Sequence, residues 1–171
     1  CVYICEEGVT ECYYQGDLDV LQDIIDVNES LSGEEPLEIF SPSWGVDGRM
    51  TSLYLRNRQL TTLPESIGSL SSLEELNLRI NQLTSLPESI GNLSSLERLY
   101  LYYNQLTSLP ESIGSLSSLE ELELWDNQLT GEIPSEIGNL TNLISLRLEN
   151  NQLTGGIPPE IGNLTNLVLL Y

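Results

Sequence analysis

The stretch 73–96, LEELNLRINQLTSLPESIGNLSSL, constrains the fold of this chain more than any other. Its skeleton is L-x-x-L-x-L-x-x-N-x-L, then L-P-x-x-I-G-x-L-x-x-L, and the pattern is still running at Tyr171. Successive copies start at Met50, Leu73, Leu96, Leu119, Leu143 and Leu167, in steps of 23, 23, 23, 24 and 24 residues. A period in this range means stacked coils, none of which can bury its apolar face alone. In each copy L-x-x-L-x-L makes a short strand, and stacked copies pair as a parallel sheet at a spacing of ~4.8 Å. Leucines at positions 1, 4, 6 and 11 point inward. Asparagine at position 9 (Asn81, Asn104, Asn127, Asn151) carries an amide that can satisfy backbone groups where the strand bends. Arg58 replaces it in the first copy, where the preceding segment is expected to take over. Pro64, Pro87, Pro110, Pro134 and Pro158 fix φ on the return side, and Gly68, Gly91, Gly114, Gly138 and Gly162 are expected to serve tight turns.

The skeleton resembles the leucine-rich repeat. That resemblance implies an α/β fold, a leucine-rich repeat solenoid. Its curved parallel β-sheet lines the concave face, short turns and 3-10 segments form the convex face, and a small helical cap closes the N-terminal end. The copies LTTLPESIGSLSSL and LTSLPESIGNLSSL resemble the 23-residue LPxxIG type. LTGEIPSEIGNLTNL and LTGGIPPEIGNLTNL resemble the 24-residue plant-type LTGxIP repeat. Pro42–Leu55, PSWGVDGRMTSLYL, resembles a plant-type N-terminal cap through Trp44, Gly45, Val46, Gly48, Arg49, Met50, Thr51 and Leu53. The cysteine pair such a cap carries around its tryptophan is absent. The expected division is 1–16 as a cysteine-containing segment, 17–49 as helical cap and connector, and 50–171 as solenoid with an incomplete last repeat.

Within the cap, 17–31 reads as a short helix. Leu18, Leu21, Ile24 and Ile25 fall on one face, and Asp17 is the expected N-cap. That face and Trp44 supply the apolar lid an end repeat needs. All three cysteines, Cys1, Cys5 and Cys12, lie upstream. An odd number allows one disulfide plus one free or intermolecular thiol, and a disulfide implies an oxidising, extracellular or cell-surface setting. A chain that begins at Cys1 without methionine reads as trimmed.

Composition removes several function classes. There are six basic residues, all arginine, against 26 acidic ones, for a formal net charge of -20. Nucleic acid needs clustered cations, so none is expected as a partner. Histidine is absent, and with it the usual neutral-pH acid/base and the commonest metal ligand. No nucleophile–base set, phosphate loop or metal-ligand cluster stands out, so neither enzyme activity, metal nor cofactor is expected. Apolar runs fall far short of the ~18 residues of a membrane span.

Function is left to the outward strand positions, taken as 3, 5, 7 and 8. Four arginines fall there, Arg56, Arg79, Arg98 and Arg147, with an aromatic group of Tyr100, Tyr102, Tyr103 and Trp125 between them. Exposed tyrosine, tryptophan and arginine dominate interface hot spots. These eight residues are the candidate site for a protein ligand, with a glycan stacked on the aromatics as the other open ligand class. Cross-strand packing and charge neutralisation would equally place such residues there. A second possibility is a structural subunit. The sixth copy stops inside its strand, leaving Leu167, Leu170 and Tyr171 at an uncovered end. A longer array, or another molecule, would cover that end. An identical copy offering Trp44 of its cap, locked through Cys1, Cys5 or Cys12, would propagate head to tail as a filament. Four sequons start at Asn28, Asn92, Asn139 and Asn163, the last three within the repeat consensus.

Overall fold

The computed structural model describes residues 3–5 and 12–171, the first three as backbone alone. Of the cysteine expectations, those on Cys1 and on the Cys5 side chain lie outside the described residues. Cys12 is disulfide-bonded. It sits in an antiparallel hairpin of β1 (Tyr3–Cys5) and β2 (Cys12–Tyr14). Helix α1 (Gln15–Asp26), a 3-10 turn (Glu29–Leu31) and a four-residue helix α2 (Pro36–Ile39) follow.

The apolar face of α1 is buried through Val20, Leu21, Ile24 and Ile25, as its three-and-four spacing requires. The expected N-cap is wrong. The helix begins two residues before Asp17, its cap position is Tyr14, and no side chain caps it. Asp17 is instead 1% exposed beneath the first repeat. Its carboxylate receives Arg49 Nε at 3.0 Å and Nη2 at 3.0 Å, and the Met50 backbone N–H at 2.7 Å. A tertiary partner that offers a charged fork and a buried N–H outbids the local capping preference. Arg49 also lies 4.3 Å over the Tyr14 ring, and Tyr13 packs on Trp44 at 4.6 Å between ring centroids. The cap is thus fastened to the first strand by an ion pair, and Trp44 packs partly buried against the core.

The main sheet has seven strands. β3 (Ser43–Trp44) pairs antiparallel with β4 (Met50–Tyr54) at one edge. β5 (Glu75–Asn77), β6 (Arg98–Tyr100) and β7 (Glu121–Glu123) then add in parallel. β8 (Thr130–Gly131) leaves this sheet. β9 (Ser145–Arg147) and, after β10 (Gln152–Leu153), β11 (Leu169–Leu170) complete it. Register sets equal positions side by side, as in Ser52–Glu75–Arg98–Glu121–Ser145. The inward leucines, among them Leu73, Leu76, Leu78, Leu96, Leu99, Leu101, Leu119, Leu122 and Leu124, are 0% exposed and form one core running from the cap helix to the fifth repeat.

The asparagine column works as expected. Asn104 Nδ2 donates to Leu78 O at 3.0 Å and Leu101 O at 2.9 Å, and its Oδ1 accepts from Leu83 N at 3.1 Å. Asn127 repeats the arrangement one coil on. Each amide therefore satisfies carbonyls of its own coil and the one before. At the N-terminal end Asn28 of the cap plays a related part. It is 1% exposed, donates to Ile24 O and Thr62 O, and accepts from Thr61 N. A glycan cannot be attached to that buried, fully used amide in the folded chain, whereas Asn92, Asn139 and Asn163 are exposed.

The convex side carries 3-10 segments at Glu65–Ser69, Glu88–Asn92, Glu111–Ser115, Ser135–Asn139 and Pro159–Asn163. Their glycines do not serve left-handed turns. None is among the positive-φ residues. They admit the next coil: a Cβ on Gly68 or Gly91 would lie 2.4 Å from a carbonyl oxygen of the following segment. Where the repeat lengthens to 24 residues, β8 and β10 pair into a second, two-stranded parallel sheet. At the change of coil type lies an apolar cleft of about 90 Å³, lined by Leu109, Leu129, Ile133, Leu148 and Leu153.

Candidate functional site

The candidate residues share the concave side because equal positions stack coil on coil. Position 7 and the neighbouring position 5 form a continuous column. Arg79 lies 5.5 Å from the Tyr102 ring centroid and donates from Nη1 to its hydroxyl at 2.5 Å. Tyr102 stacks on Trp125 at 4.4 Å and 13°. Arg147 lies over Trp125 at 5.1 Å and over Tyr171 at 5.7 Å. Tyr103 meets Trp125 edge-on at 4.7 Å and Tyr102 at 5.9 Å, and is 48% exposed. Five of the eight candidate residues, joined by Tyr171, are therefore one cluster rather than scattered exposures.

The arginines are mostly engaged within the chain. Arg98 pairs with Glu75 at 3.4 Å and Glu97 at 3.1 Å. Arg147 pairs closely with Glu149, a hydrogen bond that raises its pKa. Arg56 is exposed and has no ion pair among the described residues. Tyr100 sits apart from the aromatic column. Its hydroxyl donates to Glu121 at 2.9 Å, and burial, followed by that hydrogen bond, pushes its pKa above the usual phenol range. Trp125 Nε1 donates to Glu123 at 3.2 Å. Asn77 Oδ1 and Arg79 Nε are buried and have no hydrogen-bond partner among the described residues.

The backbone here was missed from the sequence, although Asn57, Asp126 and Asn150 at this position carry the signal for it. Position 8 is left-handed in every coil, with φ of 55° at Asn57, 57° at Ile80, 55° at Tyr103, 52° at Asp126 and 56° at Asn150. Asparagine and aspartate tolerate that conformation, but a β-branched or bulky residue there is an outlier. Ile80 and Tyr103 thus hold strain on the concave side, beside the aromatic column. Strain of this kind clusters at functional sites, at a cost of roughly 1–3 kcal/mol per residue.

The described residues named for assembly lie at the two ends of the coil stack, where a head-to-tail contact would need them. Trp44 is packed in the cap. Leu167 is half-buried, while Val168, Leu169, Leu170 and Tyr171 are 75%, 43%, 41% and 63% exposed at the far end. No helix of the described residues is long and apolar enough to cross a membrane.

Comparison with known proteins agrees with this architecture. Sequence profiles match residues 49–130, as leucine-rich repeat region, and 142–164, as leucine rich repeat. No curated protein sequence matches the chain. Among solved structures, a TDR receptor is 41% identical over 65% of this chain, with a TM-score of 0.62. The chain spans only 20% of that receptor's length. The leucine-rich repeat ectodomain of the receptor kinase SOBIR1 from Arabidopsis thaliana is 33% identical, with 92% of this chain and 91% of that one covered and a TM-score of 0.74. The Arabidopsis receptor kinase HAESA, in complex with the peptide hormone IDA and the co-receptor SERK1, is 27% identical over 92% of this chain and 33% of its own, with a TM-score of 0.63.

Proposed function

The chain belongs to the leucine-rich repeat family, and we propose that it is a non-enzymatic, extracellular or cell-surface recognition module that binds a protein segment on its concave face. The column Arg79–Tyr102–Trp125–Arg147–Tyr171, flanked by Tyr103, is the observation that carries this function. It is pre-organised by its own stacking, so little side-chain entropy remains to be lost when a partner docks. The family resemblance to HAESA, whose ligand is a peptide, points the same way. The disulfide at Cys12 suits an oxidising compartment.

A glycan fits this surface less well than a protein does. Sugars stack on free aromatic faces. Trp125 lies between Tyr102 of the preceding coil and Arg147 of the next, so its faces are already taken.

Peptides selected from a random linear display library against the intact chain test the proposal. They should lose binding to a Tyr102→Ala, Trp125→Ala double variant and keep it toward a convex Glu88→Ala variant. Light scattering should give one particle size for all three proteins. Equal binding to wild type and the double variant sinks the proposal.

Head-to-tail assembly is the alternative reading. Electron microscopy separates the two: fibres, lost on deleting 1–16, would favour assembly.

A further inference from the structure

The concave side is richer in aromatics than in usable positive charge. Arg98 and Arg147 are paired with glutamates, and Arg79 is held against Tyr102. In the fourth and fifth repeats the outward strand positions carry Glu121, Glu123, Asp126 and Glu149 against the single Arg147. The C-terminal half of this face is therefore negative, on a chain whose formal net charge is -20. A partner approaching it is selected for positive charge, because complementary potentials steer encounter and like charges are rejected.

Position 8 shows where such a charge would settle. The column of stacked rings leaves little open π surface, since Tyr102 and Trp125 cover each other and the arginines cover the ends. Tyr103 is the aromatic of the group that stands out, 48% exposed and edge-on to Trp125. Asp126 occupies the same position in the next coil, and stacked coils are ~4.8 Å apart. Its carboxylate accepts one hydrogen bond, from Asn150 Nδ2 at 3.3 Å, and has acceptor capacity to spare. A π face beside a carboxylate suits an ammonium or guanidinium group. Both residues are held in the left-handed conformation, which sets the directions in which their Cα–Cβ bonds leave the backbone.

We propose that Tyr103 and Asp126 form the anchor for a lysine or arginine side chain of a basic peptide segment. The assignment rests on the concave-face function above and names the chemistry of its ligand.

The chain has two tryptophans, Trp44 in the cap and Trp125 on the face, so a Trp44→Phe background makes Trp125 the sole tryptophan, read by selective tryptophan excitation. The probes are three short capped peptides identical except that lysines in the first become glutamines in the second and glutamates in the third. At low salt the lysine peptide should perturb Trp125 and bind about tenfold more tightly than the glutamine peptide, and the glutamate peptide should not bind. Asp126→Asn and Tyr103→Asn should each weaken the lysine peptide about fivefold. Asparagine suits the left-handed backbone at both positions, so both variants should fold. A convex Glu88→Gln variant removes the same charge and should stay within about twofold of the parent.

Equal affinity for the lysine and glutamine peptides overturns the cationic anchor. So does an equal loss in Glu88→Gln and Asp126→Asn, which reduces the effect to bulk attraction. Silence at Trp125 with all three peptides also overturns it. In each case the function itself stands if library-selected peptides still require Tyr102 and Trp125, and falls with the anchor if they do not.

Discussion

Replacing Asp17 with alanine should loosen the cap from the sheet at a calculable cost. The carboxylate is 1% exposed and accepts the buried Met50 N–H at 2.7 Å, so its removal strands that donor at about 1–3 kcal/mol. It also strands Arg49, whose side chain is 21% exposed and keeps bonds to Ser69 O at 3.3 Å and Ser71 Oγ at 3.2 Å. Because Arg49 can turn to water, its contribution is smaller than that of a fully buried charge, about 1 kcal/mol. The sum is about 3 kcal/mol, a large share of a small domain's stability. Asp17→Asn keeps an acceptor for Met50 and should cost about half as much. Urea unfolding followed at Trp44, which packs on Tyr13 in the cap, measures these losses. A double-mutant cycle with Arg49→Ala should give a coupling of about 2 kcal/mol. A loss below about 1 kcal/mol for Asp17→Ala, or a coupling near zero, would refute the idea that this pair fastens the cap.

Three further outcomes follow from the geometry. Gly91→Ala should destabilise by about 3 kcal/mol, since its Cβ would meet Ser112 O at 2.4 Å, while Gly162→Ala, with nothing within 4 Å, should be neutral in the same thermal melts. Ile80→Asn should stabilise by about 1 kcal/mol by relieving a left-handed β-branched residue, an effect urea titration would miss only if φ at that position were ordinary. Tyr100, with its pKa raised by burial and by Glu121, holds its proton more tightly folded than unfolded. Its contribution is fully present below about pH 10 and is lost as pH rises through the folded value. Stability should therefore fall in alkali, and Tyr100→Phe should flatten that fall.

The leucines and asparagines were legible in the sequence because a stacked coil leaves them one role each. Leu76, Leu99 and Leu122 can only face the core, and Asn104 and Asn127 can only serve the carbonyls around them. The column of aromatics was legible as a list of positions, but not as a stack, because ring orientation depends on side-chain packing between coils. Asp17 misled because local capping preference is the weaker claim on a carboxylate when an arginine 32 residues away folds over it. The conformation at Ile80 and Tyr103 was hidden because neither residue type advertises a positive φ, although Asn57, Asp126 and Asn150 at the same position do. The glycines were identified at the right places for the wrong reason. Their consensus spacing says that a side chain is excluded, and only the neighbouring coil shows what excludes it. Likewise the arginines read as free hot spots until Glu75, Glu97 and Glu149 were seen to engage two of them.

Backbone hydrogen exchange of the chain with and without a library-selected peptide locates the bound segment. Added protection is expected at 98–103 and 121–126, the strands and bends that carry Tyr102, Tyr103, Trp125 and Asp126. Protection confined to the convex segments, such as Glu88–Asn92, or to the last coil around Leu169–Leu170, would contradict binding on the concave face.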